Sequence, residues 1–208
     1  MGYFPMCISL KNAHIILVGE GNAAMEKLKV LLPFGADIHI FNPLFNQQVF
    51  SNLGNHPQIK LFYRDLDEND LDPRPAFVVV ADVPPAEKER ISALCHEKHI
   101  PVNVVDVPAL CSFYFPAIIQ KGDLTVSVST GGKSPGAASY LRRQLEEQIP
   151  DQTDVILDWL GEMRKNLPKE LAPAMRRQIL KQAVAEAFIQ NRPLTNEELE
   201  KLTDDAAG

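Results

Sequence analysis

The run His14-Ile15-Ile16-Leu17-Val18 passes directly into Gly19-Glu20-Gly21-Asn22-Ala23-Ala24, and this junction constrains the fold more than any other feature of the chain. A short apolar run bounded by glycine reads as a strand buried on both faces. The glycines fit the G-x-G-x-x-G/A pattern. Gly19 allows the tight turn, Gly21 lets a pyrophosphate approach the backbone, and the small Ala24 lets the following helix pack closely on its strand. The helix N-terminus then offers free N–H groups and the positive end of its dipole to phosphates. Ala24, Leu28, Leu31 and Leu32 recur at helical spacing, Gly35 ends the helix, and Asp37 to Phe41 reads as a second strand before Asn42-Pro43. Strand, glycine turn, helix and strand form a βαβ unit of the Rossmann type, the context in which the glycine pattern signifies dinucleotide binding.

The pattern continues. Ile59 to Tyr63 and Phe77 to Ala81 read as strands. A helix from Pro85 to Lys98 carries Ile91, Leu94 and Cys95 on one face, and Pro101 to Val105 is a strand closing at Asp106. Alternating strands and helices predict a parallel sheet with helices on both faces. After Pro108, Ser112 to Ile119 and Leu124 to Val128 read as a hairpin around Lys121-Gly122-Asp123. Ser134, with Pro135 after it, is a helix start. From Asp151 the pattern is helical, with apolar stripes Val155, Ile156, Trp159, Leu160, Met163 and Met175, Ile179, Ala183, Val184, Phe188. Thr195-x-x-Glu198 is a capping box flanked by Leu194 and Leu199, and Asp204 to Gly208 is expected to fray. The expected α/β chain has a Rossmann-type domain (1–111), dimerisation strands with a loop and helix (112–150), and a C-terminal helical domain (151–208).

Among the 208 residues the formal net charge is −6, which argues against a nucleic-acid binder held by bulk electrostatics but leaves room for a local basic pocket. No stretch approaches the roughly 20 apolar residues of a membrane span. Met1 to Pro5 lacks the pattern of a secretory signal, and Cys7, Cys95 and Cys111 are scattered. The expected setting is the reducing cytoplasm.

The candidate cofactor site is Gly19, Gly21, Asn22, Ala23 and Ala24, with Asn42 where a ribose-binding carboxylate usually ends the second strand. Without that carboxylate the sequence does not separate NAD from NADP. Asp106 ends a buried strand on the edge where open α/β sheets place ligands. It reads equally as a general base and as a turn cap before Val107-Pro108. Cys95 and His99, with His96 adjacent, share a helix at i, i+4 spacing. An apolar helix face and a helix C-terminus account for them, and no metal site is expected.

Taken together, these segments resemble the precorrin-2 dehydrogenase family, the N-terminal module of siroheme synthases. The resemblance rests on Tyr3-Phe4-Pro5-Met6, on Val18 to Ala24 with Lys27, and on Asn103-Val104-Val105-Asp106-Val107-Pro108. It extends through Ser112-Phe113, Phe115 to Ile119 and Val128 to Pro135. It implies oxidation of precorrin-2 to sirohydrochlorin with NAD as hydride acceptor, and in several members insertion of ferrous iron. It places the essential aspartate on Asp106 and cofactor contacts on Asn22, Ala23, Pro43 and Leu44. A serine phosphorylated in some members falls on Thr130, and Ser112 to Thr130 corresponds to strands that form a homodimer. The apolar load of Phe113, Tyr114, Phe115, Ile118 and Ile119 points to the same dimer.

An acidic tetrapyrrole requires cations, and Lys133, Arg142, Arg143, Arg164, Lys165, Arg176 and Arg177 are the candidates. The chain departs from the family at Glu20, Glu26 and Asp82, of which Glu20 and Asp82 put negative charge beside a phosphate-bearing cofactor. The competing reading is a non-catalytic dinucleotide sensor. Asp106 and the basic loop favour the enzyme, Glu20 and Asp82 the sensor.

Overall fold

The computed structural model describes residues 4–43 and 56–207, and the chain divides into two compact units, Met1–Phe115 and Pro116–Gly208. The first is the expected Rossmann-type unit. Strands β1 (His14–Val18), β2 (Asp37–Phe41), β3 (Ile59–Phe62), β4 (Phe77–Val80) and β5 (Val102–Val104) form one parallel sheet in the order β3-β2-β1-β4-β5. Helices α1 (Asn22–Leu31) and α2 (Pro85–Glu97) follow β1 and β4.

Period-two alternation sends successive side chains to opposite faces of the sheet, and those of the central strands are buried on both. Ile15, Leu17, Ile38, Ile40 and Val79 join Ala24, Leu28 and Leu31 of α1 in one core cluster. Ile16, Val18, Phe41, Val78 and Val80 join Ile91 and Cys95 of α2 in another. Side chains of this size contribute about 1.5–3 kcal/mol each on burial, so both faces of β1 and β4 hold the sheet between its helices. Gly35 ends the first crossover at φ 74, in the left-handed region.

Residues 112–116 differ from the expected strand, because β6 begins only at Ala117. Ser112 N–H donates to the Val102 carbonyl (2.9 Å), and the Ser112 hydroxyl accepts from Val102 N–H (2.8 Å). The Asn103 side chain donates to the Phe113 carbonyl (3.0 Å). Phe113 and Phe115 then pack against the α1-side core, 5.2 and 6.1 Å from the Phe77 ring. Both aromatic residues are half-buried against the core of their own unit.

In the second unit, β6 (Ala117–Lys121) and β7 (Leu124–Val128) form an antiparallel hairpin turned at Gly122, φ 54. Helix α3 (Pro135–Gln148) starts as expected, with the Ser134 hydroxyl accepting from Ala137 N–H (3.2 Å). Helices α4 (Thr153–Asn166), α5 (Pro173–Gln190) and α6 (Asn196–Ala207) close around Ile156, Met163, Ile179, Ala183, Ala187 and Leu194. Val155 and Val184, at the margins of the expected stripes, are exposed. The capping box is formed: Thr195 N–H donates to Glu198 (2.7 Å) and Glu198 N–H to the Thr195 hydroxyl (3.3 Å). Helix α6 runs to Ala207 rather than fraying from Asp204. No helix among the described residues is long and apolar enough to cross a membrane.

Candidate active site

In a sheet ordered 3-2-1-4-5 the crevice opens between β1 and β4, where successive crossovers leave in opposite directions. The glycine turn lies after β1, Asn42-Pro43 after β2, Ala81-Asp82 after β4 and Asp106 after β5, so all sit on the carboxyl edge of one sheet. Leu44 lies outside the described residues.

Gly19 and Gly21 have φ of 115 and 99, conformations that side chains rarely adopt. A Cβ on Gly19 would lie 1.7 Å from the Ala81 carbonyl oxygen. Gly21, the N-cap of α1, supplies no side-chain cap. The cap comes instead from Asp82, which itself has φ 54. Its exposed carboxylate accepts from Ala23 N–H (3.0 Å) and Ala24 N–H (3.2 Å) through the same oxygen. The turn therefore has the shape and closeness that a dinucleotide diphosphate requires, while a carboxylate of the chain itself holds two of the amides. Asn42 is buried and its N–H donates to the Phe62 carbonyl (3.1 Å), and Pro43 is exposed beside it.

Asp106 stands in a four-residue turn closed by Val107 N–H donating to the Val104 carbonyl (3.2 Å). Its φ is 63, in the left-handed region that Asp tolerates better than most residues but still at a cost. The turn is braced by other groups. Cys111 Sγ–H lies 3.2 Å from the Val104 carbonyl and 3.4 Å from that of Val107, and Lys88 Nζ donates to the Val105 carbonyl (3.2 Å). Among the described residues the Asp106 carboxylate has no hydrogen-bond partner, so it does not cap its own turn. It is also exposed.

Lys27 belongs to the same neighbourhood. Its ammonium sits 4.7 Å from the centroid of the Phe115 ring. Burial lowers its pKa, opposed by the charges of Glu26, Asp106 and Cys111. It was quoted for the family resemblance but not as a site residue. A signal was nevertheless present, because Lys27 lies at i+3 from Ala24 on the stripe that includes Leu28 and Leu31, the buried face of α1.

The other sequence candidates resolve differently. Cys95 lies in the core, where burial pushes its thiol up to about 12, and His99 is exposed at φ 54 with its carbonyl accepting from Arg74. Of the cations, Arg142 pairs with Glu146 (2.6 Å) and Lys165 with Glu162 (2.7 Å). Arg176 donates to the carbonyls of Arg164, Leu167 and Pro168, and Arg177 to that of Pro173. Among the described residues Lys133, Arg143 and Arg164 hold no ion pair. The Thr130 hydroxyl is bonded to both the N–H (3.1 Å) and the carbonyl (3.0 Å) of Ser134.

Residues 6–117 match a family model described as "Putative NAD(P)-binding". The chain belongs to this NAD(P)-binding family. Residues 121–148 match a second model, "Sirohaem biosynthesis protein central". The chain is 36% identical over 150 residues to the siroheme synthase of Nitrosomonas eutropha, an alignment covering 72% of this chain and 31% of that protein. It is 30% identical over 212 residues to the siroheme synthase of Thiobacillus denitrificans, covering 100% of this chain and 44% of that protein. The chain thus spans less than half the length of these relatives. Among solved structures it is similar to "SirC, precorrin-2 dehydrogenase", with a TM-score of 0.70, 18% identity and 99% of each chain covered, which shows the shared fold. These findings agree with the resemblance drawn from the motifs.

Proposed function

We propose that this chain oxidises precorrin-2 to sirohydrochlorin with NAD as hydride acceptor. The observation that carries the reading is Asp106: an exposed carboxylate held at φ 63 on the ligand-binding edge of an NAD(P)-binding sheet, in a turn braced by other groups. A strained residue whose side chain does nothing for its own turn is the pattern of a functional position. The siroheme synthase relatives, and the fold shared with a protein titled precorrin-2 dehydrogenase, support the choice of substrate.

The oxidation removes two electrons and two hydrogens from the macrocycle, one as hydride and one as proton. NAD, when bound, supplies the hydride acceptor. Asp106 takes the proton, and its exposure leaves it open to a large substrate. Lys27, over Phe115, sets a cation beside that carboxylate. Gly19, Gly21, Asn22, Ala23 and Ala24 form the diphosphate seat, and Asn42 and Pro43 border the adenosine ribose.

The same reading includes ferrous iron as a second substrate for insertion into sirohydrochlorin, a homodimer formed through residues 112–130, and a cytoplasmic setting. Phe113, Tyr114, Phe115 and Ile118 are only half-buried in the single chain, which supports a dimer through that segment. Cys7, Cys95 and Cys111 are free thiols, as a reducing compartment requires.

The test is to mix the purified chain with precorrin-2 and NAD⁺ and follow the sirohydrochlorin absorption spectrum. NAD⁺ binding with no conversion would return the chain to the sensor reading.

A further inference from the structure

We propose that Asp82 is an internal competitor for the cofactor diphosphate, so that a dinucleotide enters the glycine turn only by displacing it. The inference rests on the reading of that turn as the diphosphate seat. Each backbone N–H donates one strong hydrogen bond, and a helix N-terminus stabilises a nearby anion through those donors and its dipole. In this chain Asp82 supplies the anion. One carboxylate oxygen accepts from both Ala23 and Ala24, across the crevice between the ends of β1 and β4. That is where the fold family places a diphosphate.

The position is built rather than incidental. Asp82 holds φ 54 to deliver its side chain, and a Cβ on Gly21 would come within 2.8 Å of the accepting oxygen, so the second glycine accommodates the carboxylate. α1 has no cap of its own, and Asp82 fills that role from the far side of the crevice.

Two consequences follow from one contact. Bound to the amides, Asp82 stabilises the empty protein by capping α1. Against a dinucleotide the same bond has to be broken first, and the carboxylate, once displaced, remains a negative charge near two phosphates. Asp82 is exposed, so displacement is a side-chain rotation into solvent and needs no opening of the core. Stability and affinity are therefore set against each other at this residue.

The test uses the full chain with Asp82→Gly, which removes the carboxylate and accepts the positive φ, and Asp82→Asn, which keeps an acceptor but loses the charge. NAD⁺ and ADP-ribose are titrated calorimetrically, and thermal midpoints are measured without ligand. Asp82→Gly is expected to bind both ligands about tenfold more tightly than the parent, equivalent to about 1.4 kcal/mol, with Asp82→Asn between them. The unliganded midpoint of Asp82→Gly is expected to fall. Equal or weaker binding of both ligands by Asp82→Gly overturns the competitor role, as does binding by none of the proteins. Tighter binding by Asp82→Gly without conversion of precorrin-2 by the parent supports the competitor and instead overturns the proposed reaction.

Discussion

Gly19 and Ala81 approach so closely that a methyl group on the first would lie 1.7 Å from the carbonyl oxygen of the second. The obstacle is backbone at the end of β4, which cannot rotate away, and φ 115 adds strain for any side chain. Gly19→Ala is therefore expected to destabilise the sheet unit by more than about 2 kcal/mol, read as a lower urea midpoint. Gly21→Ala at φ 99 is strained too, but it meets the Asp82 side chain rather than backbone, and its cost should be smaller. Equal losses for the two variants would contradict this packing.

Asp106→Asn keeps the left-handed turn, because Asn tolerates that conformation at least as well as Asp. It removes the charge and the basicity. Turnover of precorrin-2 should fall by at least about 100-fold, the lower end of what a positioned base contributes, while circular dichroism and the affinity for NAD⁺ stay at parental values. Parental turnover would reduce Asp106 to a turn residue.

The outline of the first unit was legible because its strands are buried on both faces. β1 carries an apolar run that ends at glycine, β2 alternates Ile38 and Ile40 with Asp37 and His39 before Asn42-Pro43, and both have the expected limits. Helix starts at Ser134 and Thr195 were legible for a similar reason, since a cap bonds within its own first turn. What the sequence concealed is long-range. Asp82 was legible as excess negative charge but not as the cap of α1, because the strand pairing of β1 with β4 brings it there. The aromatic segment Phe113 to Phe115 has the composition of a strand, and only the core around Phe77 shows why it is a cover instead.

His39 sets a pH dependence of stability. Its ring contacts His14 (3.0 Å), Asp37 (3.3 Å) and Lys60 (3.2 Å). Burial lowers its pKa, His14 and Lys60 lower it further, and Asp37 opposes them. The unfolded chain then binds the proton more readily than the folded one. This contribution is present above the ordinary histidine value near pH 6.5 and is lost as pH falls through the folded value. His39→Gln, neutral throughout, should flatten the rise in urea midpoint between about pH 5 and 7. Parallel profiles for parent and variant would remove His39 as the source.

The three thiols should differ in reactivity. Cys7 is exposed, whereas Cys95 is buried with its thiol pushed up to about 12, and burial also raises Cys111. Because the thiolate is the reacting form, iodoacetamide at pH 8 should modify Cys7 in the folded chain and reach Cys95 only in denaturant. Peptide mass spectrometry distinguishes the sites, and rapid native labelling of Cys95 would contradict its place on the buried face of α2.

Phe113 and Phe115 lie over Phe77 in the first unit, so the natural joint of the chain falls between Phe115 and Pro116. This matters for any exchange of parts between relatives. A recombinant joined after Cys111 would give one parent's sheet the other parent's aromatic cover, and Phe77 would face side chains that were not selected with it. A joint placed after Phe115 transfers the sheet and its cover as one inherited block.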